Sequence, residues 1–195
     1  FWSIDGDAEA LAVVIRKWLE KAGRQTSTKF IAGESYGGFR APKVAKALQS
    51  SEGVGIRGLL MISPVLDFAG LGQRRHAPMS WVAHLPSMAA AALESKGQFD
   101  RDALRDVEQY ASGDYLRDLI KGDHDAAAVE RMSVRVAALT GLDPALVRRM
   151  RGRVDNGTFQ RELYRDRGLV GSAYDPTITA FDPTPGATSS RFSDP

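Results

Sequence analysis

Gly33-Glu34-Ser35-Tyr36-Gly37-Gly38 is the run in this chain where residue type, spacing and flanks together ask for chemistry. Lys29-Phe30-Ile31-Ala32 before it reads as a short apolar strand, and Pro42 to Leu48 after it reads as a helix. A Gly-x-Ser-x-Gly turn between strand and helix is the setting of a nucleophile elbow, in which a strained serine backbone lifts its hydroxyl clear of the turn. Gly33 and Gly37, two residues either side of the serine, with Gly38 beside them, let strand and helix pass closely. Ser35 is thereby the candidate nucleophile. The helix start aims unpaired N–H groups and the positive end of its dipole at the serine, which favours an oxyanion there. Pro42 reads as a first-turn proline, where the missing N–H has no intrahelical partner to lose.

The elements that must hold this turn follow from the pattern around it. Gly53-Val54-Gly55 turns the chain into Ile56 to Val65, whose continuously apolar Leu59-Leu60-Met61-Ile62 centre predicts a strand buried on both faces, as in a parallel sheet. Strand, helix and strand from Phe30 to Val65 then form one right-handed crossover unit. Asp67 falls just past the carboxyl end of the second strand, the side on which such sheets build sites. Upstream, Asp5-Gly6-Asp7 offers capping carboxylates to a helix striped by Leu11, Val14, Ile15, Trp18, Leu19 and Ala22 and closed at Gly23.

From about residue 74 the apolar period is helical and remains so. Trp81, Leu85, Met88 and Leu93 stripe one segment; Asp100 caps a second that carries Leu104, Val107 and Ala111; Val129, Met132, Val136 and Leu139 stripe a third, ended by Gly141; Asp143-Pro144 opens a fourth with Leu146, Val147 and Met150 inward. Helices without intervening strands predict an insertion over a sheet edge. Arg148, Arg149, Arg151 and Arg153, followed by Arg161, Arg165 and Arg167, read as a solvated face with Asp155, Glu162 and Asp166 as neighbours rather than as a phosphate-binding patch. From Gly171 the chain is rich in Pro, Ser, Thr and Asp, with Asp-Pro at 175-176, 182-183 and 194-195, which predicts an extended loop. The expected organisation is a partial core over 1–73, a helical insertion over 74–170 and an extended segment over 171–195.

Composition bounds the function loosely. The 195 residues are 43% hydrophobic and 26% charged, ordinary values for a folded soluble domain. Lys and Arg number 26 against 24 Asp and Glu, and a net charge of +2 is too small to imply a polyanionic partner, so no nucleic acid is expected. No apolar run approaches the ~20 residues that cross a bilayer, so no membrane partner is expected. With no cysteine there is no disulfide, thiolate ligand or cysteine nucleophile, and the compartment stays open, export included. His, Asp and Glu show no metal-ligand spacing, so neither metal nor other cofactor is expected.

The Gly33-Glu34-Ser35-Tyr36-Gly37-Gly38 run followed by Pro42 resembles the serine carboxypeptidases, a peptidase family of α/β hydrolases, in which Glu before and Tyr after the serine are both family choices. Asp5-Gly6-Asp7, Ile62-Ser63-Pro64-Val65-Leu66-Asp67 and Leu85-Pro86 leading into an Ala-rich helix add to the likeness, which is greatest to the bacterial branch and extends more weakly across the chain. The resemblance implies an α/β-hydrolase fold, a partial parallel sheet with its nucleophile elbow plus a helical cap inserted into it. It implies that Ser35 attacks the carbonyl of the last peptide bond and carries the acyl-enzyme, that the Tyr36 backbone N–H is one oxyanion donor, and that Glu34 holds the substrate's free terminal carboxylate by sharing a proton with it.

The likeness also implies parts that are not found here. The second oxyanion donor of the family comes from a Gly-rich loop before the first helix, and the triad Asp and His follow the helical insertion. The chain is therefore expected to be the middle of a longer enzyme whose flanking segments complete the fold. Asp67 with His76, His84 or His124 is the internal alternative; all three histidines fall in the predicted insertion, and none is expected to be catalytic. An esterase or acyltransferase on the same scaffold, or a catalytically inactive binding remnant, are the competing functions. Glu34 favours the peptidase, since a neutral ester has no terminal carboxylate to hold.

Overall fold

Ser3, not the acidic pair after it, starts the first helix. Its side chain accepts the Gly6 N–H at 3.0 Å, and α1 runs Ile4–Lys21. Ser3 has the extended backbone that an N-cap needs, with φ −122° and ψ 158°, whereas Asp5 and Asp7 already lie in the first helical turn. There the dipole still favours them, and they pair with Lys43 at 3.4 Å and Arg40 at 2.7 Å on helix α2, Tyr36–Ser51.

The computed structural model describes residues 2–74 and 76–186. Arg75 and residues 187–195, which include the last Asp-Pro pair of the predicted extended segment, lie outside the described residues. The chain divides into two compact units, Phe1–Leu71 and Gly72–Pro195.

In the first unit β1 (Phe30–Glu34) and β2 (Gly58–Ile62) pair in parallel, with Phe30 opposite Gly58 and Glu34 opposite Ile62, and α2 makes the crossover between them. The unit's core is Ala8, Ala12, Val44, Ala47 and Leu48, bordered by Leu11, Ile15, Ile31, Val54 and Ile56. Alanines one turn apart on α1 let it lie close on α2, so the buried line runs through Ala8, Ala12 and Leu19. Val14 and Trp18, expected in that line, are each 61% exposed. The predicted stripe leaves out Ala8 and Ala12, the small residues that form the buried face.

Two further expectations in this unit need correction. Helix α2 begins at Tyr36 and carries Pro42 in its interior, where the bond forgone is the one to the Gly38 carbonyl four residues back. Strand β2 is not buried on both faces: Leu59, Leu60, Met61 and Ile62 are 40%, 51%, 37% and 54% exposed. A strand in a two-stranded sheet has one bonded neighbour, and its apolar side chains find cover only where α2 meets them.

The second unit is helical: α3 (Pro78–Glu94), α4 (Arg101–Tyr110), α5 (Leu116–Lys121), α6 (Ala126–Thr140), α7 (Pro144–Arg149) and α8 (Asn156–Glu162). Four aspartates do the same local work before four of these helices. Asp100, Asp125, Asp143 and Asp155 each accept a backbone N–H two or three residues on, at 3.1, 2.9, 2.6 and 2.9 Å. Gly141, at φ +70°, closes α6 in the left-handed conformation. Trp81, Leu85, Met88, Val107, Met132, Val136, Val147 and Phe159 meet in one core.

Between α4 and α5 the backbone makes a wide π-helical turn, Ala111–Tyr115, without leaving helical dihedrals at either junction. Beyond α8, where composition predicts an extended loop, β3 (Leu169–Gly171) and β4 (Thr179–Phe181) pair antiparallel, Leu169 opposite Phe181. Arg161 anchors this hairpin through Asp182 at 2.8 Å and the Thr184 carbonyl at 3.0 Å.

The arginine-rich stretch is not a uniformly solvated face. Arg153 and Arg161 are 8% and 2% exposed, and they pair with Asp123 and Asp182. Arg148 pairs with Glu130 and Arg165 with Glu162. Most of these carboxylates come from distant positions, because helix packing brought them to the arginines.

Candidate active site

Strand β1 ends at Glu34 and α2 begins at Tyr36, so Ser35 alone makes the junction. Its φ of 53° and ψ of −118° lie where a residue with a Cβ is strained, at a cost of about 1–3 kcal/mol. What holds it there is β2's exit. The Ser35 N–H donates to the Ile62 carbonyl at 3.0 Å, and the Ser35 carbonyl accepts from Val65 and Gly38, each at 3.0 Å. Ser63, between those anchors, also has positive φ, 41°, so the chain bends sharply at both ends of the brace.

The close packing is made by Gly33 and Gly38. A Cβ on Gly33 would stand 2.1 Å from the Gly37 carbonyl oxygen, and one on Gly38 would stand 2.5 Å from the Pro64 Cβ. At Gly37 an added Cβ would meet nothing within 4 Å. The steric role expected of Gly37 thus belongs to its neighbour, and Gly37 contributes only the carbonyl that Gly33 must accommodate.

Ser35 is exposed, and its side chain makes no capping bond to α2. Tyr36 is the first helical residue, so its N–H belongs to the turn whose donors have no intrahelical acceptor, and the helix dipole points its positive end at Ser35. Glu34 is exposed at the strand end, and its carboxylate has no side-chain partner among the described residues.

An aromatic cluster stands beside the elbow. The Tyr36 ring lies 5.6 Å from Phe39 and 6.1 Å from Phe68, and Phe39 meets Phe68 edge-on at 5.1 Å. The Arg40 guanidinium lies 4.9 Å from the centre of the Tyr36 ring and Lys43 Nζ 5.5 Å from that of Phe39, each held by its α1 aspartate. The sequence signal for this cluster was one aromatic per helical turn after the serine, at 36 and 39; Phe68 could be assigned to it only once β2 was paired.

The histidines lie in the other unit. His84 Nδ1 donates to the Ser80 carbonyl at 2.5 Å, one helical turn back, which leaves Nε2 as the ring's free nitrogen. It lines a cavity of about 420 Å³ with Ser87, Glu94, Asn156 and Tyr174. His76 and His124 line another, of about 450 Å³, where Arg153 and Asp123 pair at 2.5 Å. Asp67 lies in the unit that contains Ser35. No group of His, Asp and Glu suited to a metal occurs among the described residues, and no helix there is long and apolar enough to cross a membrane.

Comparison of the chain with protein-family models, with curated proteins and with solved structures finds no match. The arrangement at Ser35 is therefore read on its chemistry. An exposed hydroxyl on a strained strand-to-helix turn, with a helix N-terminus behind it and an unpaired carboxylate before it, can serve as a nucleophile beside an anion-stabilising dipole.

Proposed function

We propose that this chain carries the acyl-transfer centre of a serine carboxypeptidase on an α/β-hydrolase scaffold. The observation that carries the reading is the Ser35 backbone, φ 53° and ψ −118°, braced by Ile62 at the end of β2 and by Val65 just past it, while its side chain stays exposed. In the reaction Ser35 Oγ attacks the carbonyl of a peptide's last bond and gives its proton to a base, which passes it to the departing amine. The acyl ester is then released by water. The Tyr36 N–H receives the oxyanion, and Glu34 binds the free carboxylate of the peptide end.

The base and its carboxylate partner come, on this reading, from flanking segments of the same protein, which also lay further strands against the apolar residues that β2 exposes. The same geometry would serve an esterase, so the substrate comparison decides. In the protein with its flanking segments, a serine-directed phosphonate labels Ser35, Ser35→Ala abolishes turnover, and a blocked peptide with a free C-terminus is cleaved much faster than its amide. Equal cleavage of acid and amide would remove Glu34 from carboxylate recognition, and absence of labelling at Ser35 would remove the nucleophile.

A further inference from the structure

Ser35 has a register neighbour that is strained in the same way. The parallel ladder pairs Glu34 with Ile62, so the next position on each strand sets Ser35 beside Ser63. Among the described residues three that are not glycine have positive φ, and these are two of them, at 53° and 41°. Both lie exposed at the carboxyl end of the sheet.

The bonds across the pair explain why Ser63 is turned. In a parallel ladder a residue donates its N–H to the carbonyl one place before its partner and accepts from the N–H one place after it. The first bond is regular: the Ser35 N–H reaches the Ile62 carbonyl at 3.0 Å. The second should come from position 64, but Pro64 has no N–H. Val65 supplies it instead, at 3.0 Å from the Ser35 carbonyl. One residue more than a regular ladder allows is thus fitted between the two bonds, which makes a β-bulge, and the left-handed backbone of Ser63 takes up the extra length.

The bulge grips one residue at both of its peptide planes. The Ser35 N–H belongs to the plane before its Cα and the carbonyl to the plane after it, so holding both fixes φ and ψ together. Gly38 of α2 donates a second bond to the same carbonyl at 3.0 Å, and it packs on Pro64 so tightly that a Cβ there would stand 2.5 Å from the Pro64 Cβ. The side-chain torsion of Ser35 is what remains to turn. The Ser63 hydroxyl has no hydrogen-bond partner among the described residues, so the holding is done by backbone and not by this side chain.

We propose that the bulge at Ser63 and Pro64 positions Ser35 Oγ for attack, so that the rate of acyl transfer depends on a left-handed residue 63 and on a residue 64 without an N–H. The inference rests on the reading of Ser35 as the nucleophile and adds two positioning residues that act through it. Regular pairing at 64 would draw the Ser35 carbonyl one residue back along β2 and swing its Cα–Cβ bond off line. Glu34 lies inside the regular ladder, opposite Ile62, so capture of the peptide end is left nearly as it was.

Kinetics of the protein with its flanking segments test this, with a blocked peptide bearing a free C-terminus as substrate and a serine-directed phosphonate as the probe of Ser35. Rates are counted per labelled site, so unfolded molecules do not enter. Ser63→Val, whose branched side chain disfavours positive φ, is expected to lower kcat and the labelling rate about tenfold to a hundredfold, with KM changed less than about twofold. Ser63→Asn and Ser63→Gly, which enter the left-handed region readily, are expected to recover most of that loss. Pro64→Ala returns an N–H to the ladder and is expected to lower kcat as Ser63→Val does, with Ser63 intact. Parent rates in Ser63→Val or Pro64→Ala, Asn and Gly variants as slow as Ser63→Val, or a loss carried by KM would overturn the role of the bulge while Ser35 is still labelled. A parent protein that the phosphonate does not label would instead overturn the nucleophile, and the bulge with it.

Discussion

Gly38 and Pro64 touch across the elbow so closely that a single methyl group cannot be added: a Cβ on Gly38 would sit 2.5 Å from the Pro64 Cβ and 2.8 Å from its Cα. Neither atom belongs to a flexible chain end, so relief requires the backbone to move. Gly38→Ala is expected to cost about 1–3 kcal/mol, the usual range for forcing extra volume into a packed site. Gly37→Ala, one residue earlier and facing open space, is expected to be neutral or to stabilise by up to about 1 kcal/mol through helix propensity. Urea denaturation of the two variants checks the contrast.

Strain at Ser35 predicts that function and stability oppose each other there. Ser35→Gly removes the Cβ that makes φ 53°, ψ −118° unfavourable and is expected to raise stability by about 1 kcal/mol. Ser35→Ala keeps the Cβ and is expected to leave the midpoint of a urea transition nearly unchanged. If both variants shift alike, the strain is not stored at this residue.

Neighbouring tyrosines should respond in opposite ways to loss of a hydroxyl. The Tyr115 hydroxyl donates to the Gly152 carbonyl at 2.9 Å in the core, and Tyr115→Phe is expected to cost about 1–2 kcal/mol. Tyr110 has no such partner among the described residues, and burial pushes its ionisation up to about 12, so it stays protonated as an unused donor. Tyr110→Phe is expected to leave the melting temperature equal or higher. Thermal scans of both variants decide.

Arg161 and Asp182, with side chains 2% and 3% exposed, hold the β3–β4 hairpin to α8. Removing one member takes the ion-pair partner from a buried charge, which typically costs about 3–5 kcal/mol. Asp182→Asn is therefore expected to destabilise the helical unit strongly and to open residues 168–186 to limited proteolysis. Resistance of that stretch in the variant would show that the hairpin holds without the pair.

Acid should loosen the α5–α6 contact. The hydrogen bonds from Arg131 hold the Asp118 carboxyl below its ordinary value, with the nearby charges of Arg131 and Lys121 helping and burial opposing. Because the folded value is the lower one, the stabilisation is complete above the unfolded carboxylate value of about 4 and is lost as pH falls through the folded value. Glu130 beside Arg148 has the same sign. Urea stability followed from pH 6 to pH 2 should fall across that window, and Asp118→Asn should flatten the fall.

Local signals were the legible ones. The strand, the serine and the helix around residue 35 are contiguous, so a few positions carry the bend, and each aspartate cap of the helical unit sits within three residues of the N–H it accepts. Long-range facts were not legible. Whether Leu60 is covered depends on which strands lie beside β2, and whether Arg161 is solvated depends on Asp182, which composition placed in a loop. The choice between Gly37 and Gly38 as the tight position turned on where Pro64 returns, and spacing alone does not say that.

The π turn at Ala111–Tyr115 acts as a phase shifter for everything after it. An α-helix advances ~100° per residue, and the wide turn absorbs about one residue's worth of that advance, so winding 111–115 into regular helix with every residue kept would rotate α5 by roughly that angle. Asp118 would then leave the side on which Arg131 waits, and the fork between α5 and α6 would be lost with every side chain still present.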